Sequence, residues 1–144
     1  MRWNLLQTLR ETRAAYSAML GPSFGTKFAR GLAVVMCGYV IMLAAFCGTI
    51  VALVVGFIVN PSEAKSYLGA FIWFLFTSLG IVVSQTAFLY LRNLGRPVVK
   101  RMLSLDLSLT PDYARRLVFH RLKMATWIDL HPGLKVEMEL PIAK

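Results

Sequence analysis

The segment GLAVVMCGYVIMLAAFCGTIVALVVGFIV, residues 31–59, decides the fold of this chain. It contains no Asp, Glu, Lys, Arg or His, and the charge-free run continues to residue 62. A second run, residues 66–91, is equally free of these side chains. The two runs hold 32 and 26 residues, whereas a helix needs only about 20 apolar residues to cross the hydrocarbon core of a bilayer. The sequence therefore predicts two transmembrane helices.

The overall composition agrees with this prediction. Apolar residues make up 57% of the 144 residues and charged ones 16%, against about 45–50% and about 25% in soluble proteins. The alternative is a soluble fold with two buried core helices, but a chain this short has too few elements to cover both helices on every side. The first apolar run is also much longer than the roughly 7–15 residues of a signal-peptide core, so we expect it to remain in the mature protein.

The predicted fold class is an all-α membrane protein built on an antiparallel hairpin of two transmembrane helices. We predict an amphipathic cytoplasmic or interfacial helix in residues 1–25, transmembrane helices at 26–59 and 67–92, and an extracytoplasmic turn at 60–66. A basic cytoplasmic tail, residues 93–144, follows. The turn is too short to carry the chain elsewhere, so the second helix must return beside the first.

The amphipathic helix at the N-terminus has more than one possible partner. Its apolar and polar side chains recur at helical spacing, and Gly21-Pro22 ends it because the proline ring opposes continuation. Trp3 near the start and arginines on the polar face suit a membrane surface. Packing on a partner protein or on the chain's own tail is the alternative, and the sequence leaves both open.

The tail begins with signals for a helix end and a new helix. Gly95 predicts the end of the second long helix, and Pro97 predicts the first residue of a short helical piece that reaches about Leu105. Thr110-Pro111 predicts a further helix start, since threonine caps the first N–H groups and proline suits the first turn. We expect that helix to cover about 111–130.

The last residues of the tail alternate apolar and charged side chains, which is the period of a half-buried strand over about 134–140. A single strand is not stable alone, and no second strand is evident in the chain. The strand is therefore predicted to pair with another protein. The residues predicted to dock this partner are Leu134, Val136, Met138 and Leu140.

The distribution of charge predicts the orientation in the membrane. Residues 1–30 carry a net charge of +4, the turn is neutral, and residues 92–144 carry +5, which together give the net +9 of the chain. Segments rich in Lys and Arg stay on the cytoplasmic side. We expect a multi-pass protein of the cell inner (plasma) membrane with both termini in the cytoplasm.

Small residues inside the spans predict helix packing. A four-residue repeat runs along the first span, and a second, shorter pattern occurs in the other span next to an amide. Small residues let helix backbones approach closely, and an amide in hydrocarbon seeks a hydrogen-bond partner on another helix. The predicted packing residues are Ala44, Gly48, Ala52, Gly56, Gly80, Ser84 and Gln85. Their partner is either the chain's own second helix or a neighbouring subunit.

Basic residues directly after the second span predict contact with anionic lipid headgroups. These residues are Arg92, Arg96, Lys100 and Arg101, and the first three share one helical stripe if the helix continues past Gly95. Anionic headgroups attract such segments with about 1 kcal/mol per basic residue. Nucleic acid is the alternative partner of a chain with this charge, but the interleaved aromatic and basic residues of single-strand binders are missing.

Residues that could carry chemistry are sparse. Cys37 and Cys47 are ten residues apart, so a helix separates them by about 15 Å, beyond disulfide reach. His120 and His131 lack neighbours at metal-ligand spacing apart from Asp129. We find no phosphate-binding glycine loop or nucleophile motif. We therefore expect no enzyme activity, cofactor, metal or small-molecule substrate.

These features predict a non-catalytic membrane subunit that assembles into a larger membrane complex. Secretion or conjugation machines and respiratory complexes use such subunits, and this comparison is an analogy. One alternative is a homo-oligomeric or holin-like pore, for which Ser78, Gln85 and Thr86 offer a thin polar face. Another is a scaffold that binds anionic lipid.

Overall fold

The computed structural model describes residues 4–59 and 67–139. Throughout these residues the chain forms helices and short connections, with no strand. The predicted turn at 60–66 and the residue Leu140 lie outside the described residues. The helices are α1 Leu5–Leu20, α2 Pro22–Val59, α3 Leu68–Leu105, α4 Pro111–Val118, α5 Arg121–Leu130 and α6 Gly133–Glu139.

The chain divides into two compact units. The apolar unit comprises the described residues between 33 and 89, and it holds none of the charged side chains that the structure describes. The charged unit comprises 4–32 and 90–139. It contains α1, the start of α2, the end of α3 and the three short helices.

The apolar unit is held together by a seam of small residues. The buried positions of α3 follow one another at intervals of three, four or seven residues, and Gly38 and Ala45 on α2 are seven residues apart, in keeping with the 3.5-residue repeat of helices that pack along their length. Because these residues are small, the two backbones approach closely. The seam consists of Gly38, Ala45 and Gly56 on α2, with Ala70, Thr77, Gly80, Ser84 and Ala87 on α3.

Two glycines in the seam bring backbone against backbone. A Cβ atom on Gly38 would lie 3.0 Å from the backbone N of Ser84 and would meet its hydroxyl. A Cβ atom on Gly80 would lie 2.8 Å from the backbone N of Met42 and 3.0 Å from the carbonyl O of Gly38. Further along α2, Gly48 faces the ring of Trp73. The contacts run in opposite sequence order, as they do between antiparallel helices.

Most of the apolar surface of both long helices stays exposed. The most apolar 18-residue stretch of α2 has a mean hydropathy of 2.6, and only 11% of it is buried within the chain. The corresponding stretch of α3 has a mean hydropathy of 1.8, and 22% of it is buried. Both helices are long and apolar enough to cross a membrane. A core helix of a soluble protein would have most of this surface covered.

The charged unit has a core of its own that is built around aromatic side chains. Tyr16 of α1 lies against Phe28 of α2 with ring centroids 4.2 Å apart, and Phe24 stacks on Phe28 at 5.9 Å. Helices α3 to α6 complete this core. They contribute Val98, Met102, Ala114, Leu117, Val118, Met124, Trp127, Ile128 and Leu134, each of which is at most 7% exposed.

The predicted break between α1 and α2 is confirmed. Helix α1 ends at Leu20, and Gly21 follows with a φ of 98°, a conformation that residues with a Cβ rarely adopt. Pro22 then starts α2. The amphipathic helix packs on the chain's own tail, since α1 contacts α5 and α6 and its residues Tyr16, Met19 and Leu20 are buried.

The predicted helix end at Gly95 is wrong, because α3 continues to Leu105 with Pro97 inside it. A proline in a helix interior costs about 3 kcal/mol, since it removes one hydrogen bond and its ring crowds the preceding turn. Val98 and Met102 lie beyond it and are completely buried. Burying two such side chains contributes about 1.5–3 kcal/mol each, enough to offset the proline.

The helix predicted over 111–130 is two helices. Its start is confirmed, because the Thr110 side chain accepts a hydrogen bond from the backbone N–H of Tyr113 and Pro111 is the first residue of α4. The chain then leaves the helix at Phe119 and His120, and the His120 ring accepts a hydrogen bond from the N–H of Lys123 to begin α5. Residues 112–130 contain no Gly or Pro, so their sequence carries no signal for this break.

The predicted terminal strand is wrong, because Gly133–Glu139 forms the helix α6. Leu134 is completely buried and Met138 is half-buried, whereas Val136 is 60% exposed. Residues four apart share one face of a helix, which accounts for this pattern. A helix satisfies its own backbone groups, while a strand here would have no neighbouring edge within the described residues.

The seam predicts a strong penalty at Gly80. We expect Gly80→Ala to lower the free energy of unfolding in detergent by about 1–3 kcal/mol, because the new Cβ must push against the backbone of Met42. Gly69→Ala is the matched control, since nothing lies within 4 Å of its Cβ position. Chemical denaturation followed by circular dichroism measures both. An equal effect of the two variants would contradict the close backbone contact.

Candidate functional site

The predicted packing residues differ in how deeply they are buried. Gly80, Ser84 and Gly56 are buried in the seam, while Gly48 and Ala52 lie at its half-buried margin. Ala44 is exposed, and its neighbour Ala45 is the buried residue at 2% exposure. The four-residue repeat drifts away from the 3.5-residue repeat of the seam, so its first member faces outward. Packing of Ala44 on another protein stays a prediction.

The polar residues in the middle of α3 are arranged unequally around the helix. The Ser84 hydroxyl is buried against Gly38 and has no hydrogen-bond partner among the residues that the structure describes. The Thr86 hydroxyl donates to the carbonyl O of Val82 at 2.9 Å, within the same helix. Gln85 is exposed, and no hydrogen bond joins its amide to another residue that the structure describes. This amide is therefore an unused polar group on an otherwise apolar surface.

The four predicted headgroup residues are all exposed on one continuous helix. Because α3 does not end at Gly95, Arg92, Arg96 and Lys100 recur every four residues along one side. Two further cations, Lys27 and Arg30, are exposed near the start of the apolar run of α2.

Arg30 on α2 and Arg92 on α3 lie at the same position along the helix pair. A Cβ atom on Gly31 would meet Leu91, 2.5 Å from its Cδ2 atom. Arg30 therefore precedes this contact by one residue, and Arg92 follows it by one residue. The charge-free run of α2 therefore begins at the position along the helix pair where the charge-free run of α3 ends. This position is called the contact level. Exposed Tyr90 stands at this level too, as tyrosines do at membrane interfaces.

The residues predicted to dock a partner strand do not form a docking edge. Leu134 belongs to the core of the charged unit. Met138 is half-buried and Val136 is exposed, so only Val136 is fully available on α6. Leu140 lies outside the described residues. The described part of α6 is helical and offers no strand edge, and docking of a partner through these residues stays a prediction.

A buried tyrosine that the sequence did not single out joins three elements. The Tyr16 hydroxyl donates a hydrogen bond of 2.6 Å to the carbonyl O of Val118. That carbonyl belongs to the last turn of α4, where no intrahelical N–H can reach it. The Phe119 ring, next along the chain, lies 6.0 Å from the Phe28 ring. Burial raises the pKa of Tyr16 to about 12, although the positive charge of Arg121 acts in the opposite direction.

A second group of polar contacts joins the connection after α3 to the end of α5. The Asp106 carboxylate accepts hydrogen bonds from the side chain and the backbone N–H of Ser108, at 2.6 Å and 3.0 Å. These bonds lower the pKa of Asp106, and His131, whose Nε2 lies 3.9 Å from the carboxylate, lowers it further. The His131 ring stacks on the Trp127 ring, with ring centroids 4.3 Å apart.

Groups that could support chemistry or metal binding are dispersed. Within residues 4–59 and 67–139, no three His, Cys, Asp or Glu side chains lie together as metal ligands would. Cys37 and Cys47 are both free and exposed in the apolar unit. His120 serves as the cap of α5 and His131 stacks on Trp127. No family model, curated protein or solved structure matches this chain.

Sequence reasoning missed the residues that organise each unit. Burial of Gly38 and Ala45 is not predicted from the sequence, because the more regular four-residue repeat begins at Ala44 and includes neither residue. Tyr16 could have been found, since Phe24 and Phe28 place two rings one helical turn apart just after it. Val118 carries no signal, because its carbonyl becomes a hydrogen-bond acceptor only where the helix breaks.

Removing the Tyr16 hydroxyl should weaken the charged unit. We expect Tyr16→Phe to lower the free energy of unfolding by about 1–3 kcal/mol, because the Val118 carbonyl is then buried without its donor. Tyr113→Phe, at a tyrosine that is 50% exposed, is the matched control and should be nearly neutral. Denaturant unfolding in detergent compares the two, and equal losses would show that the hydrogen bond contributes little.

The raised pKa of Tyr16 should make stability fall at high pH. The unfolded chain loses the phenol proton near pH 10.0, whereas the folded chain keeps it up to about pH 12. Between these values the folded state binds more protons, so the free energy of unfolding decreases as pH rises. Unfolding measured across this range should show the decrease in the parent protein. If Tyr16→Phe has the same pH profile, the explanation fails.

Proposed function

We propose that this chain is a non-catalytic membrane subunit that crosses the bilayer twice as a helical hairpin and associates with other membrane proteins. Two observations support the membrane part. The apolar stretches of α2 and α3 are mostly uncovered, and both change from apolar to cationic at the level where Gly31 meets Leu91. A bilayer surface accounts for a change of polarity at one height on two helices.

The proposed orientation places the charged unit and both termini in the cytoplasm. The charged unit contains every Lys and Arg that the structure describes. Short segments rich in these residues are retained on the cytoplasmic side during insertion. The cell inner (plasma) membrane is the compartment that this orientation fits.

The observation that carries the association is the exposed amide of Gln85. An amide that faces hydrocarbon without a partner is costly, and hydrogen bonds between membrane helices recover about 0.6–2 kcal/mol. Nothing that the structure describes in this chain satisfies Gln85. A polar group on a neighbouring transmembrane helix would do so. The exposed Ala44 offers a second place where a helix could approach closely.

A pore is the less favoured function. The hydroxyls of Ser78 and Thr86 already donate to carbonyls of their own helix, at Phe74 and Val82. This leaves Gln85 as the one unsatisfied polar group among the three residues of that face. One amide per subunit is too little to line an aqueous pathway.

The association can be tested by extraction in mild detergent. We expect the native protein to co-purify with a stoichiometric companion, or with a second copy, and Gln85→Leu to weaken this association about 3- to 30-fold. Thr86→Val is the matched control, because its hydroxyl is satisfied within the helix. Native mass spectrometry gives the composition. A monomer without a companion would contradict the subunit proposal, whereas an undiminished complex in Gln85→Leu would contradict the role of Gln85 in the association.

The orientation has its own test. A reporter that is active only outside the cytoplasm should be inactive when fused after Lys144 and active when inserted in the turn at 60–66. The protein itself should stay in the membrane pellet after alkaline carbonate extraction. The reverse reporter pattern would overturn the orientation, whereas protein in the supernatant would overturn membrane insertion.

A further inference from the structure

We infer that four cations at one level of α2 and α3 bind the phosphate groups of anionic phospholipids. These residues, which we call the cation belt, are Lys27, Arg30, Arg92 and Arg96. The inference rests on the proposed membrane insertion and adds the chemical class of lipid that the protein selects. It also changes the set predicted from sequence, because it includes two residues of α2 and excludes Lys100 and Arg101.

The belt is defined by distance along the helices from the Gly31–Leu91 contact. At about 1.5 Å per residue, Arg30 and Arg92 lie about 1.5 Å from this level, Lys27 about 6 Å and Arg96 about 7.5 Å. The headgroup layer is about 5–8 Å thick on each side of the hydrocarbon. All four Cα atoms therefore fall within the layer that contains lipid phosphates.

The same measure separates the other basic residues of α3 from the belt. Lys100 and Arg101 lie about 13.5 Å and 15 Å from the contact level, beyond the headgroup layer. Gly133 of α6 lies next to Leu105, because a Cβ atom on this glycine would lie 3.8 Å from the Leu105 Cδ2 atom. Lys135 is thus near the far end of α3, about 21 Å from the Gly31–Leu91 contact level and about 13.5 Å from Arg96, the nearest belt residue on α3.

The belt has no carboxylate partner within residues 4–59 and 67–139. Residues 22–32 of α2 and 90–105 of α3 contain no Asp or Glu. Among the residues that the structure describes, no salt bridge joins Lys27, Arg30, Arg92 or Arg96 to a carboxylate. Arg121 and Arg115 differ, since they pair with Glu11 and Asp112. The positive charge of the belt is therefore not neutralised by a carboxylate among the described residues.

Anionic phospholipids provide the matching chemistry. A guanidinium binds a phosphate through two parallel hydrogen bonds, and an ammonium binds it as a point charge. A zwitterionic headgroup also carries a phosphate, but its own cation opposes the belt. Each basic residue near the surface increases the binding constant for a headgroup with a net negative charge about fivefold. The belt should therefore distinguish phosphatidylglycerol from phosphatidylcholine.

Lipid co-purification tests this inference on the full chain. The protein is equilibrated in mixed micelles with equal amounts of phosphatidylglycerol and phosphatidylcholine, and the lipids that remain bound are measured by mass spectrometry. We expect phosphatidylglycerol to be enriched on the parent protein. Lys27→Gln/Arg92→Gln should reduce this enrichment by at least about fivefold.

The matched control is Arg101→Gln/Lys135→Gln, which removes the same two residue types and the same charge away from the belt. It should retain the parent enrichment, and so should the charge-preserving pair Lys27→Arg/Arg92→Lys. An equal loss in the control pair would show that net charge alone attracts the lipid and would overturn the belt. Unchanged enrichment in Lys27→Gln/Arg92→Gln would overturn it as well.

Two further arms identify the source of the phosphate and separate this inference from the proposed function. Excess inorganic phosphate should leave phosphatidylglycerol bound, whereas complete displacement would indicate a site for soluble phosphate and contradict lipid selection. Carbonate extraction is performed on every variant. Protein that stays in the pellet without lipid enrichment overturns the belt alone, and parent protein in the supernatant overturns both proposals.

Discussion

Two helices cannot cover each other's apolar surface. Each helix hides only the stripe that faces its partner, and the remaining surface of α2 and α3 stays open. In water this surface would be strongly unfavourable, at about 25 cal/mol for each Å² exposed. Hydrocarbon removes the penalty, and it also requires every backbone polar group to be bonded within the helix. The continuous helices and charge-free runs of the proposed hairpin, and the position of the cations, follow from this one constraint.

Lipid also changes what holds helices together. Side chains gain little by leaving lipid for a helix interface, so close packing of backbones becomes important. Gly38 and Gly80 provide it through contacts that no larger residue would allow. The charged unit uses different means. Its Tyr16, Phe24 and Phe28 rings and its buried aliphatic residues form a core of the kind found in water-soluble domains. One pair of helices, α2 and α3, contributes to both units.

Particular residues show where prediction from the sequence stopped. The helix start at Thr110-Pro111 and the helix break at Gly21-Pro22 are predicted correctly, because helix capping and the restricted φ of proline act within a few residues. Gly95 and Pro97 also carry a strong local signal for a helix end, but burial of Val98 and Met102 outweighs it. The alternation of apolar and charged residues at 134–140 is compatible with a strand or with a helix. A helix formed there because Leu134 fits the core and no strand edge is available within the described residues.

The sequence alone determined that this chain has two long apolar helices, because uninterrupted runs without charge are a property of composition and length. It also determined the asymmetry of charge between the ends and the turn. The tertiary structure decided which small residues meet, that Tyr16 reaches Val118, and that Lys27 and Arg30 share a level with Arg92 and Arg96. These features depend on the rotation and the vertical offset of one helix against another. Packing of distant residues sets both quantities, and no local pattern contains them.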